Sequence, residues 1–300
     1  MSIELMRPVL SISLFFSISV IAINLYPVAN AQDPAAEIDR TVAEQLGWKL
    51  GVQTYSFNRF TFFEAVDKAA SVGLKYVEAY PGQKIAADID GTMGPGMNDE
   101  QIKAVQEKLN TAQIKMIAFG VTGLSKDESE SRRTFEWCKN FDVEVINTEV
   151  REDAFDTLEK LCEEYKIKIG IHNHPEPSYY WNPETVKKAI AGRSEWIGAC
   201  ADIGHWIRSG LEPLECLQLL EGKIVSFHFK DLNKSARNAH DVPWGNGVAN
   251  VPALLAEMQR QKFRGPVSIE YEHNWLESLP EIGECVVNFH RMLGQLKTGE

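Results

Sequence analysis

The sequence predicts an α/β fold of the (β/α)8 barrel type in a single domain, on three observations. From Trp48 onward, short β-rich runs alternate with amphipathic stretches until eight of each have passed. The repeat occupies about 250 residues, the usual span of such a barrel. No G-x-G-x-x-G follows the first strand, which sets aside a doubly wound open sheet, and no Pro- or Ser-rich linker interrupts the repeat.

The strands read, in order, Leu50 to Tyr55, Tyr76 to Tyr80, Ile114 to Val121, Val143 to Glu149, Ile167 to His174, Trp196 to Asp202, Ile224 to Phe229 and Val267 to Glu272. Several helical stretches between them open on start signals. Asn98 followed by Gln101 has the spacing of a capping box, Asn182-Pro183 is a cap with a first-turn proline, and Asn250 is placed to cap the stretch holding Leu254, Leu255 and Met258. A final amphipathic helix is expected from about Leu279 to Leu296.

The 300 residues are 44% hydrophobic and 24% charged, with a mean hydropathy of −0.24. That composition excludes long disorder, collagen-like repeats and a polytopic membrane protein. Asp and Glu outnumber Lys and Arg by 42 to 31, and a net charge of −11 argues against a nucleic-acid partner. At the N-terminus, Arg7 precedes an apolar run from Val9 to Leu25, and small residues stand at Ala29 and Ala31. This order is that of a secretory signal peptide cleaved after Ala31, with an uncleaved anchor as the alternative. The expected organisation is a signal peptide over 1–31, a linker over 32–47 and the barrel over 48–300. The protein is then secreted or periplasmic, with no stable membrane insertion after cleavage. Cys138, Cys162, Cys216 and Cys285 fall in expected helices and Cys200 in a strand, with no C-x-x-C spacing; they read as small buried hydrophobes.

Chemistry in a (β/α)8 barrel sits where strands end. Those ends carry Glu149, His172 with His174, Asp202 with His205, His228, and Glu270 with Glu272. Residues two apart share a face, so Ser226 and His228 point inward while Val225, Phe227 and Phe229 face the helices. The same alternation sends Ser268, Glu270 and Glu272 inward. Carboxylates converging on one mouth need a counter-charge, and a bound divalent cation is the usual one. Oxygen donors with one imidazole suit Mn, Mg, Co or Zn. The metal set expected from the strand ends is Glu149, Asp202, His228 and Glu270.

At these residues the chain resembles a known family. Ala201-Asp202-Ile203-Gly204-His205-Trp206, Ser226-Phe227-His228-Phe229-Lys230-Asp231, His240-Asp241-Val242-Pro243-Trp244-Gly245-Asn246-Gly247 and Ser268-Ile269-Glu270-Tyr271-Glu272 are similar to the sugar phosphate isomerase/epimerase superfamily, with its xylose isomerase-like TIM barrel. The resemblance implies Asp202, His228 and Glu270 as ligands of one divalent metal and His205 as a substrate contact. Ketose 3-epimerases of that superfamily carry a further catalytic Glu at the end of strand five, where this chain has Ile171-His172-Asn173-His174. Either His172 takes that ligand position or Glu149 on the adjacent strand supplies the carboxylate; Glu149 is preferred, with His172 and His174 at the substrate. Apurinic endonucleases of the same superfamily need histidines at the ends of strands two and three, where this chain offers Glu78-Ala79-Tyr80 and Ala118-Phe119-Gly120.

The function expected is a metal-dependent isomerase or epimerase that moves a proton next to a carbonyl, with Glu149 and Glu270 as the proton-transfer candidates. The substrate expected is a small non-phosphorylated sugar, keto-sugar or cyclitol, because no Gly-rich phosphate loop stands out. Lys230 is placed to neutralise an oxyanion or to pair with Asp231 or a neighbouring carboxylate. Trp206 and Trp244, with Tyr55, Trp181 and Trp275, are candidates to stack on a sugar ring. A lyase or hydrolase of 3-keto-glycosides and a non-catalytic sugar-binding barrel are the alternatives, and a homo-oligomer is compatible with all of them.

Overall fold

A computed structural model describes residues 41–297. The signal-peptide region and residues 32–40 of the expected linker lie outside the described residues. Among those described, no helix is long and apolar enough to cross a membrane. The rest of the linker forms α1 (Thr41–Leu46), whose Val42 and Ala43 are buried in the core.

Eight parallel strands close the barrel: β1 (Trp48–Gln53), β2 (Tyr76–Ala79), β3 (Lys115–Phe119), β4 (Val145–Thr148), β5 (Lys168–His172), β6 (Ile197–Asp202), β7 (Ile224–Phe229) and β10 (Gly265–Ile269). The ring order is β1-β10-β7-β6-β5-β4-β3-β2, and pairing of Trp48 with Gly265 through Val52 with Ile269 closes it. All eight expected strands are present. Outside the ring lie α2 (Phe62–Ser71), α3 (Asp99–Ala112), α4 (Glu128–Lys139), α5 (Phe155–Tyr165), α6 (Pro183–Ala189), α7 (Ile203–Arg208), α8 (Pro213–Leu219), α9 (Val251–Arg260) and α10 (Leu279–Lys297). Two short strands, β8 (Asp231–Leu232) and β9 (Asp241–Val242), pair antiparallel after β7.

Local signals explain where these elements begin. The Asn98–Gln101 capping box opens α3, and Asn182 caps α6 by accepting from the Glu184 N–H. Thr61 and Glu64 make a second, reciprocal box at α2 that the sequence reading did not single out. Asn250 stands at the start of α9 but in the left-handed region, φ 51°; it offers its backbone oxygen to Ala253 and Leu254, so its side chain is not the cap. All five cysteines are buried and free.

Outward-facing strand residues pack under the helices. Phe227 meets Phe263 with ring centroids 4.8 Å apart, and Phe229 meets Trp244 at 4.6 Å. Trp206 and Trp244, expected at the substrate, are each only 1% exposed. Both rings lie in the buried core, Trp206 on α7 and Trp244 against Phe229, and so present no face to a ligand.

The inward face is polar beneath the mouth. Asn147 donates to Glu78 (2.8 Å), Ser226 donates to Asn147 (2.8 Å) and Ser268 donates to Glu78 (2.6 Å), all of them buried. Room for this layer comes from Gly170 on β5: a Cβ there would stand 2.3 Å from Asn147 Oδ1 and 3.0 Å from both Cys200 Cβ and Ser226 Oγ. Gly170→Ala is therefore expected to overpack the barrel and lower stability by about 1–3 kcal/mol in urea unfolding. A variant as stable as the parent would show that the layer can yield.

Candidate metal centre

Four inward side chains meet at the C-terminal mouth: His172 at the end of β5, Asp202 at the end of β6, His228 on β7 and Glu270 just beyond β10. Their donor atoms all lie within 4.8 Å of one another, and all four residues are buried.

The spacing D-x-x-H has a local cause. Asp202 is the N-cap of α7, and its Oδ1 accepts the His205 N–H at 2.8 Å. Asn173 grips the Asp202 backbone on both sides, donating to its carbonyl at 3.0 Å and accepting from its N–H at 2.9 Å. One carboxylate oxygen is thus committed to the helix, and Oδ2 is left facing the centre.

Both imidazoles are built alike. His228 Nε2 lies 2.8 Å from Glu78 Oε1, and its Nδ1 turns to the centre. His172 Nδ1 lies 3.2 Å from Glu149 Oε1, and its Nε2 turns to the centre, 3.4 Å from Asp202 Oδ2. Nδ1 of His228 and Nε2 of His172 are buried without a hydrogen-bond partner, and His228 Nδ1 approaches Glu270 Oε2 to 3.0 Å. A carboxylate behind each imidazole, with the opposite ring nitrogen unpartnered in a buried site, is the arrangement that metal-ligating histidines adopt. The donor set of two nitrogens and two carboxylate oxygens could hold a divalent ion such as Zn or Mn.

Glu149, expected among the ligands, is instead flanked by histidines. It bonds His172 and, in a short contact, His174, and it joins no other member of the central four. Burial opposes ionisation of Glu149, but the two imidazoles prevail and pull its pKa down to about 2. His174 answers in the opposite sense: burial would lower its pKa, and the Glu149 carboxylate raises it instead. These two line one side of a cleft of about 620 Å³ whose other walls include Thr122, Lys126, Thr148 and Arg151.

Lys230 is buried among carboxylates. It donates to Asp202 Oδ2 at 2.5 Å and to Glu270 Oε2 in a shorter contact, and lies 3.7 Å from Glu272. It does not pair with Asp231, whose oxygens accept the N–H groups of Leu232, Gly245, Gly247 and Ala249. Burial disfavours the charges, yet Asp202 is held well below the usual range by the His205 ring, whose Nε2–H faces it, and by the Lys230 ammonium, and Glu270 by Lys230 and His228. Burial also works against a charged His228, but Cys200, Glu78 and Glu270 outweigh it and raise its pKa. His205 is pushed well down, by burial and then by the Lys230 charge among others, so it is neutral. Its Nδ1 lies 3.2 Å from the Arg208 guanidinium, which can only donate, so the ring proton sits on Nε2, 3.5 Å from Asp202 Oδ2. Arg208 also ties Glu272 (2.6 Å) to Asp241 (2.9 Å). Burial raises Asp241 to about 7, with Glu272 and Asp202 adding to it against Lys230 and Arg208.

Sequence reasoning missed Glu78, Asn173 and the linking role of Arg208. Of the aromatic candidates, Tyr55 is 39% exposed and packs edge-on against Tyr80 (5.1 Å) and Trp275 (5.7 Å); Trp181 is half-buried.

Residues 66–285 match the model of the xylose isomerase-like TIM barrel family. The chain belongs to that family. An uncharacterised protein from Parabacteroides distasonis ATCC 8503 is 33% identical, with a TM-score of 0.67 over 82% of this chain and 99% of its own. A D-tagatose 3-epimerase-like protein is 18% identical (TM-score 0.64, 84% of this chain and 100% of its own). A D-allulose 3-epimerase from Methylomonas sp. is 11% identical (TM-score 0.64, 82% of this chain and 98% of its own). These last two share the fold. No curated protein matches the chain.

The Glu149–His174 pair has a pH signature. The lowered Glu149 contributes stability that is present above its ordinary value of 4.5 and is lost as pH falls toward 2. The raised His174 contributes stability that is present below 6.5 and is lost as pH rises through its higher folded value. In chelator-treated protein, Glu149→Gln should therefore lose most stability against the parent between pH 4.5 and 6.5. The deficit should narrow on both sides, as followed by urea unfolding at several pH values; a deficit that does not change with pH would contradict the pairing.

Proposed function

We propose that the protein is a divalent-metal-dependent isomerase or epimerase of a non-phosphorylated sugar, keto-sugar or cyclitol, with His172, Asp202, His228 and Glu270 as the metal ligands. The observation that carries this is the pair of buried imidazoles, each backed by a carboxylate and each aiming an unpartnered nitrogen at Asp202 and Glu270. The family, and solved neighbours named as ketose 3-epimerases, support the substrate class. Export of a chain cleaved after Ala31 would favour free sugars over phosphorylated ones.

A bound divalent ion would supply Lewis-acid stabilisation of a substrate oxygen as negative charge develops on it. The rest falls to side chains. Glu149 and Glu270 are both held ionised, so neither is matched to carry a proton near neutral pH. His174 is placed to do so: Nδ1 is anchored on Glu149 and the ring lines the cleft, where Nε2 can exchange a proton with a substrate carbon. Glu149 is then a positioning residue, setting the tautomer as the carboxylate does in a catalytic triad. His205, neutral with its proton on Nε2, donates to a substrate hydroxyl. A lyase acting on a 3-keto-glycoside is the second reading. It is favoured by His172 standing where ketose 3-epimerases carry a second catalytic glutamate, which leaves one proton carrier on the cleft side.

The test is metal analysis followed by incubation with keto-sugars in D₂O. One divalent ion per chain and carbon-bound deuterium in recovered sugar are expected; release of an aglycone selects the lyase, and deuterium-free unchanged sugar contradicts both. His228→Ala should abolish metal binding and turnover, and an active metal-free variant would refute the ligand assignment. Glu78→Gln, which removes the charge behind His228 and turns an amide donor toward Asn147 or Ser268, should weaken metal binding about 10–100-fold by chelator competition.

A further inference from the structure

We propose that Lys230 and the divalent ion compete for the same two oxygens, so that Lys230 sets how tightly the centre takes up metal. This rests on the ligand set proposed above. Asp202 Oδ2 and Glu270 Oε2 are the inward carboxylate donors of that set, and they are the two atoms to which Lys230 Nζ donates. Asp202 has no second oxygen to offer, since Oδ1 caps α7. Glu272, the next carboxylate within reach at 3.7 Å, is already held by Arg208.

The placement of the ammonium is built into the fold. Lys230 is 1% exposed, and its stem lies in a notch at Gly204, where a Cβ would stand 2.7 Å from both Lys230 Cβ and Cδ. The glycine two residues after Asp202 thus makes room for the lysine that neutralises Asp202. A buried cation that shares ligands with a second cation acts on it in two ways, by occupying the lone pairs and by repulsion in a medium of low dielectric. Removing the ammonium relieves both effects and also leaves two buried carboxylates without a counter-charge. Metal affinity and metal-free stability must then move in opposite directions. Neither alternative role does this: an orienting outer donor would weaken metal binding when removed, and a purely structural ion pair would leave affinity unchanged.

The experiment compares the parent, Lys230→Met and the charge-retaining Lys230→Arg by Mn²⁺ titration calorimetry, with thermal melts in EDTA and in Mn²⁺. Lys230→Met should bind Mn²⁺ at least tenfold more tightly than the parent and melt lower in EDTA, while Lys230→Arg binds no more tightly than the parent. Equal or weaker binding by Lys230→Met, with the parent still binding Mn²⁺, overturns the competition and leaves the metal centre standing. Absence of Mn²⁺ binding in every form overturns the ligand set and this proposal with it. Should Lys230→Met unfold in EDTA, its refolding is titrated with Mn²⁺: recovery supports the proposal, and failure to refold at any Mn²⁺ concentration overturns it.

Discussion

Carboxylates buried at the mouth of a barrel are costly unless cations or donors touch them, and the centre of this protein is arranged around that constraint. Glu78, Asp202 and Glu270 are all buried, with Glu149 half-buried beside them. Each is answered locally: Glu78 by Asn147, Ser268 and His228, Glu149 by His172 and His174, and Asp202 and Glu270 by Lys230. Two imidazole nitrogens facing inward are left without a hydrogen-bond partner. The polar layer thus does two jobs: it supports the barrel interior from below and it aims His228 from behind.

The same constraint separates the roles of the carboxylates. A group held ionised by a lysine or by two imidazoles is a good ligand or anchor and a poor proton carrier. Glu270 and Glu149 are of this kind. His174 differs because it is anchored on one side and open to the cleft on the other. Arg208 performs a similar service for His205, fixing its tautomer through Nδ1 while tying together Glu272 and Asp241.

Much of this was legible in the sequence. The period of two in Ile224–Phe229 placed His228 inward, and the alternation of strands and helices gave the barrel. Glu78 went unread as a site residue because a lone Glu at a strand end looks like a surface residue; the signal that could have found it is its place between Val77 and Ala79 in a short barrel strand, where an inward Glu needs donors. The choice between Glu149 and His172 lay beyond pattern. Thr148 pairs with Ile171, so the next residues, Glu149 and His172, stand level, and only side-chain orientation decides which reaches Asp202. Trp206 and Trp244 illustrate the same limit, because nearness to a strand end in sequence does not say whether a ring faces the mouth or the outer layer.

In the proposed centre, two imidazole nitrogens and two carboxylates converge on one divalent ion. X-ray absorption spectroscopy of the protein loaded with one equivalent of Zn or Mn tests it most directly. The loaded protein is expected to show the multiple-scattering signature of two histidines, with the remaining ligands oxygen. A centre with one histidine, as a set built on Glu149 would give, or with none, would contradict it.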